Sequence, residues 1–345
     1  MSAEQDMAAC RAAIRTGSRS FHAASKLLPA RVRDPALVLS AFCRVADDAV
    51  DEGADPVAAV LHLQDRLDRA YAGQPREAPI DRAFARLIEA HGLPRALPDA
   101  LLEGLAWDAD GRRFDTLSDV RAYSARVAAV VGVMMCVLMG VRDRDRLARA
   151  CDLGLAMQLT NIARDVGEDA RLGRIYLPLD WFAEAGMDPQ DFLASPTPRA
   201  EIRAMTARLL READRLYQRA EPGMAALPLA CRPGIFAARH IYGGIGTVIR
   251  GNGCDSVTQR AVTGTDRKLG WLALAGLKAG ASVVLPRMAT LYARPCPEVA
   301  YLVEAAAVDA PQMPRSDALI DMLARLREDD LRRRNAYGAL DRRSA

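Results

Sequence analysis

Two pairs of aspartates stand four residues apart. Asp47 and Asp51 lie in FCRVADDAVDEG, residues 42–53, beside Asp48 and Glu52. Asp165 and Asp169 lie in QLTNIARDVGEDARLGRIYLP, residues 158–178. At helical spacing each pair shares one face. Like charges so placed repel, and each pair closes an apolar helical run, where carboxylates also oppose the helix dipole. One such pair usually marks a solvated face. Two with the same local penalty, each beside arginines (Arg44, Arg164, Arg171 and Arg174), point to a compensating cation. Mg²⁺ fits that role, because it takes only one or two carboxylates per ion and completes its shell with water and phosphate oxygens. Two facing Asp-x-x-x-Asp stripes would grip Mg²⁺ over a diphosphate, with arginine forks answering the remaining charge.

The elements that must position these residues read as helices. Apolar residues recur at three and four through 35–50, 56–71, 81–91, 97–109, 117–140, 144–166, 199–220, 233–250, 268–285 and 317–332. Alternating Val/Ile/Thr strands are nearly absent, and Ala, Leu and Arg favour helix. Turn signals fall between the helices, among them DADGRR at 108–113, EAGMDP at 184–189 and SPTP at 195–198. The expected architecture is all-α, a single domain over 1–345 with a polar tail at about 333–345.

Other classes are disfavoured. The net charge of +3 is spread along the chain, which argues against a nucleic-acid partner. Cysteines at 10, 43, 136, 151, 231, 254 and 296 are far apart without Cys-x-x-Cys, so neither a disulfide framework nor a zinc site is expected, and reduced thiols in the cytoplasm fit. The N-terminus shows no signal-peptide core. The apolar run Val127–Val141 is too short to span a bilayer and reads as a core helix. The isolated His22, His62, His91 and His240 read as structural.

At these residues the sequence resembles the squalene and phytoene synthases, head-to-head prenyltransferases with the isoprenoid-synthase helical fold and a central cavity. CRVADDAVDE is similar to the family's first aspartate motif, YSARVAAVVGVMMCVL (123–138) to its Tyr-x-x-x-Val-Ala-x-x-Val-Gly helix, and 158–178 to its second aspartate motif. GSRSFHAASKLLP resembles the Ser-x-Ser-Phe segment, and the resemblance covers most of the chain, which implies a core at about 17–291. The resemblance implies that Asp47, Asp51, Asp165 and Asp169 bind Mg²⁺, with Mn²⁺ as an alternate ion. It implies that Arg44, Arg164 and Arg174 contact diphosphate and that Gln158 and Asn161 contact the metal-bound diphosphate or its waters. Ser18, Ser20 and Phe21 would line a diphosphate pocket and its mouth. Tyr176 and Tyr242 would steady carbocations or aid proton removal. On the Tyr123 helix, Ala129 and Gly132 would admit a polyprenyl tail closely. Ala129 stands where many relatives have glycine, and Ser124-Ala125 where some have Cys-Tyr, which bears on the shape of the tail pocket.

Within the family, the resemblance favours condensation of two C20 geranylgeranyl diphosphates to phytoene, the first committed step of carotenoid biosynthesis. The route passes through a cyclopropylcarbinyl diphosphate and needs no NADPH. Squalene, dehydrosqualene and presqualene diphosphate synthases, acting on the C15 diphosphate, are the alternatives. A non-catalytic assembly factor of the same fold would be expected to lose the aspartates. The water-insoluble product implies a cytoplasmic protein in peripheral contact with the inner membrane, through an apolar helix such as 269–285, with other carotenoid-pathway enzymes as partners.

Overall fold

A computed structural model describes residues 2–17, 24–51, 56–284 and 288–308. All of them but Val308 belong to one compact unit, Met1–Ala307. Helices α1 (Ala3–Gly17), α2 (Ala30–Asp51), α3 (Pro56–Tyr71), α4 (Pro79–His91) and α5 (Ala96–Ala109) lead into α6 (Leu117–Leu138) and the long α7 (Arg144–Arg171). Two short helices, α8 (Leu179–Glu184) and α9 (Pro189–Ala194), precede α10 (Ala200–Ala226), α11 (Arg232–Gly251), α12 (Thr265–Ala281) and α13 (Ala300–Ala306). No strand occurs among the described residues. The expected helix at 317–332 and the polar tail lie outside them.

The packed core reaches past both expected ends. In α1, Asp6, Cys10 and Ile14 recur every four residues and are buried. Asp6 accepts hydrogen bonds from Arg82 (2.6 Å) and Arg86 (2.8 Å) of α4, so the buried carboxylate is paired. At the other end Leu302, Val303 and Ala306 of α13 join the same core.

Helix α7 is the central element and packs most extensively on α10, with α6 and α11 also against it. Asp143 caps its start, accepting from the Arg146 amide at 3.0 Å. Small residues set its approach to α6. A Cβ on Gly154 would sit 2.5 Å from the Ala129 Cα. That contact falls on a π-helical turn, Ala125–Ala129, inside α6. Helix α6 is long and apolar enough to cross a membrane because it starts at Leu117, ten residues before the apolar run. However, 61% of its apolar window is buried within the unit. Helix α10 continues past the expected stop at Ala220, through Pro222, and Gly223 seats it on the Arg149 side chain.

Candidate active site

The sequence expected α7 to end near Val166, but it runs on to Arg171, so Asp165 and Asp169 stand on successive turns of one helix. The helix stops in a Schellman turn: Gly173 N–H donates to Ala170 O (3.0 Å) and Arg174 N–H to Asp169 O (2.9 Å), with Gly173 at φ +77°. This turn sends the two neighbouring arginines apart. Arg171 donates to Val257 O at 2.6 Å and pins the 255–258 segment onto α7, where Gly167 leaves room for it. Arg174 goes into the pocket.

The pocket, of about 250 Å³, is walled by Asp47 of α2, Asp108 of α5, Tyr123 of α6 and Gln158, Asn161, Arg164, Asp165 and Asp169 of α7. Arg174 and Tyr176 complete it. Thus residues more than 120 positions apart in sequence meet in one polar cleft. Asp165 accepts from Arg164 (2.8 and 2.5 Å) and from Arg260 (2.8 Å). Burial works to raise its pKa, but these guanidinium contacts win and hold it below the usual carboxylate range. Asp169 goes the other way. Burial first, then the charges of Asp165 and Glu168, push it up to about 7, against the pull of Arg174. A carboxylate raised by its own neighbours is one that an added cation would return to its ionised form.

Several expected residues lie elsewhere. Arg44 does not line the pocket; it holds Asp48 one turn along α2, at 2.6 Å, because that carboxylate shares its helix face. Ala129 is fully buried against Gly154 and is not among the walls of the apolar cavity, which its neighbour Ala128 lines instead, so it packs the helices together. Asp51 closes α2, but its side chain lies outside the described residues, as do Ser18, Ser20 and Phe21. Tyr242 faces a second cavity.

Two residues at the cleft gain a definite place only from the structure. Arg260, whose default from sequence is surface charge although its place after α11 also allows closure over a diphosphate, reaches Asp165 and Glu168 (both 2.8 Å), delivered by the segment that Arg171 pins. Asp108 sits in the turn-like DADGRR, yet it accepts the hydroxyls of both Tyr123 (2.8 Å) and Tyr176 (2.7 Å). The two rings stack at 5.1 Å between centroids, with Phe114 5.1 Å from Tyr123.

The second cavity, of about 300 Å³, is apolar. Val131, Gly132 and Met135 of α6, Leu153 and Met157 of α7, and Tyr242 of α11 are among its walls. Gln158 and Asn161 line both spaces, so the charged cleft adjoins a greasy one at these two residues. Asn161 Oδ1 is buried at this junction without a hydrogen-bond partner. The donors facing the cleft are hard oxygens, which suit Mg²⁺. Among the described residues, no three acidic, histidine or cysteine side chains close on a single point. The set therefore fits an ion that takes few protein ligands and draws the rest from phosphate and water.

A charged cleft beside an apolar cavity within an all-helical fold suits a prenyl-diphosphate enzyme, and the chain belongs to the squalene/phytoene synthase family, whose pattern matches residues 14–268. It is 62% identical over 340 residues to the phytoene synthase of Cereibacter sphaeroides, covering 96% of each chain. It is 60% identical to the phytoene synthase of Rhodobacter capsulatus, covering 96% of this chain and 98% of that one. In three dimensions it is similar to a dehydrosqualene synthase crystallised with a ligand, with a TM-score of 0.74 at 29% identity, covering 81% of this chain and 98% of that one.

Proposed function

We propose that the protein is a prenyltransferase that joins two molecules of geranylgeranyl diphosphate head to head, giving phytoene and releasing diphosphate. The observation that carries this reading is that the two spaces adjoin at Gln158 and Asn161: a diphosphate in the cleft has an apolar cavity beside it for its tail. High identity to phytoene synthases over nearly the whole chain supports the C20 substrate over the C15 one.

Mg²⁺ would be held by Asp47, Asp165 and Asp169, with Asp51 on the same helix as Asp47. When bound, the ion supplies electrostatic stabilisation of the departing diphosphate. The chain's own residues do the rest. Arg164, Arg174 and Arg260 set fixed positive charge around the leaving group, which needs no reorganisation as charge develops. Val131, Met135, Leu153 and Met157 keep water from the allylic cation, which would otherwise be trapped as an alcohol. Tyr123, Tyr176 and, deeper in, Tyr242 offer ring faces to positive charge. The reaction needs no reductant on this reading.

The product leaves into a bilayer. Leu277 (72% exposed) on α12 and Val284 (86%) just after it are bare apolar side chains. Arg232 donates to Ser282 O (3.2 Å) and Oγ (3.0 Å), which brings the exposed Leu229 to the same end of the fold. This patch is the contact with the inner membrane, where enzymes that consume the product would also sit.

Asp47→Ala and Asp165→Ala should each cut diphosphate release from the C20 substrate by at least about 100-fold, by analogy with the loss of one preorganised electrostatic group. Near-normal release in either variant would overturn the assignment.

A further inference from the structure

Asp108 stands in the last turn of α5, where a carboxylate opposes the helix dipole, and half-buried beside a cleft already rich in carboxylates. Its charge is felt at Asp169. That placement works against stability, and the metal ligands of the proposed function do not include it. Both of its oxygens are engaged by phenols: Oδ2 by Tyr123 at 2.8 Å and Oδ1 by Tyr176 at 2.7 Å. The two phenols also lie within hydrogen-bonding reach of each other, so Asp108, Tyr123 and Tyr176 form one polar cluster. Tyr123 is buried, at 5% exposure, whereas Tyr176 is the more open ring and lines the cleft.

We propose that Asp108 is the positioning residue of the proton-removal step: it orients Tyr176 through a carboxylate clamp shared with Tyr123 and receives, through Tyr176, the proton lost when the two prenyl chains join. The inference rests on the prenyltransferase reading. In that step the first carbon of the donor has bonded to C2 of the acceptor, leaving the cation on C3. A C–H bond on that donor carbon breaks, and its electron pair closes the three-membered ring onto C3. The proton goes to the Tyr176 oxygen as the tyrosine's own hydroxyl proton passes to the Asp108 carboxylate. Tyr176 ends neutral and Asp108 ends as the acid, which later returns its proton to water. Burial, followed by the charge of Asp108, pushes both phenols well above the ordinary tyrosine range, so a free phenolate is not the base. A neutral tyrosine backed by a carboxylate avoids that cost.

The test separates ionisation from ring closure. With Mg²⁺ and the C20 diphosphate, Asp108→Asn keeps one acceptor oxygen but loses the basic charge. Diphosphate release should persist within about threefold, while cyclopropyl and C40 products fall about 100-fold and the C20 alcohol takes their place, the scale of a lost general base. Tyr176→Phe should show the same partition, and the double variant should be no worse than the poorer single one, because the two act as a unit. Should Asp108→Asn fail to fold, Tyr176→Phe reads the same partition with the carboxylate intact. Condensation within threefold of wild type, release and condensation falling together, or full multiplication of the two penalties would each overturn the proposal. The wild-type product is read in the same assay. A C30 product would revise the substrate and leave the partition test standing.

Discussion

Charge at single residues is balanced here by geometry that spacing alone does not reveal. Arg171 and Arg174 look equivalent in RLGR, but a single left-handed glycine between them sends one to a backbone carbonyl and the other to the cleft. His240 shows the same principle in the core. It is buried on α11, its Nε2 has no hydrogen-bond partner, and burial followed by the charges of Arg239 and Lys278 lowers its pKa to about 4, against Glu221. Above pH about 6.5 both folded and unfolded chains carry it neutral; below that the unfolded chain takes the proton first. Stability should therefore fall as pH drops from about 6.5 toward 4. Urea midpoints at pH 7.5 and pH 5 should converge in His240→Gln relative to wild type, and an unchanged difference would discount the residue. The paired aspartates were legible because four-residue spacing is local. Asp108 was not, because its partners lie 15 and 68 residues away and only tertiary packing brings them together.

At the scale of elements, periodicity did well where helices have a polar and an apolar side. Helix α3 runs from Pro56 to Tyr71, as its pattern predicts. It did less well at the ends of α7 and α10, where acidic or proline-containing turns read as stops but tertiary contacts carry the helix onward. The α6–α7 crossing depends on Gly154, whose missing side chain lets the two backbones touch at the π-helical turn. Gly154→Ala would place a methyl 2.5 Å from the Ala129 Cα, a clash with backbone that no side-chain rotation relieves. We expect a loss of about 3 kcal/mol, the upper part of the overpacking range, read as a lower urea midpoint with an unchanged slope. An unaffected midpoint would show that α6 can slide, and the cavity wall with it.

For the whole molecule, the fold class followed from the absence of strand patterns, but the adjoining cleft and cavity did not, since volume is a product of how helices stack. The exposed apolar end near Leu229, Leu277 and Val284 predicts membrane contact. Leu277→Asp with Val284→Asp should lower vesicle partitioning, read by co-flotation with phospholipid, by at least about 100-fold, as expected for losing two apolar side chains from the bilayer. Equal flotation would place the contact elsewhere. The central claim is that this cleft and cavity join two C20 chains without reduction. Pure protein incubated with Mg²⁺ and geranylgeranyl diphosphate, without NADPH, should yield phytoene and free diphosphate; product from farnesyl diphosphate alone, or none until NADPH is added, would contradict it.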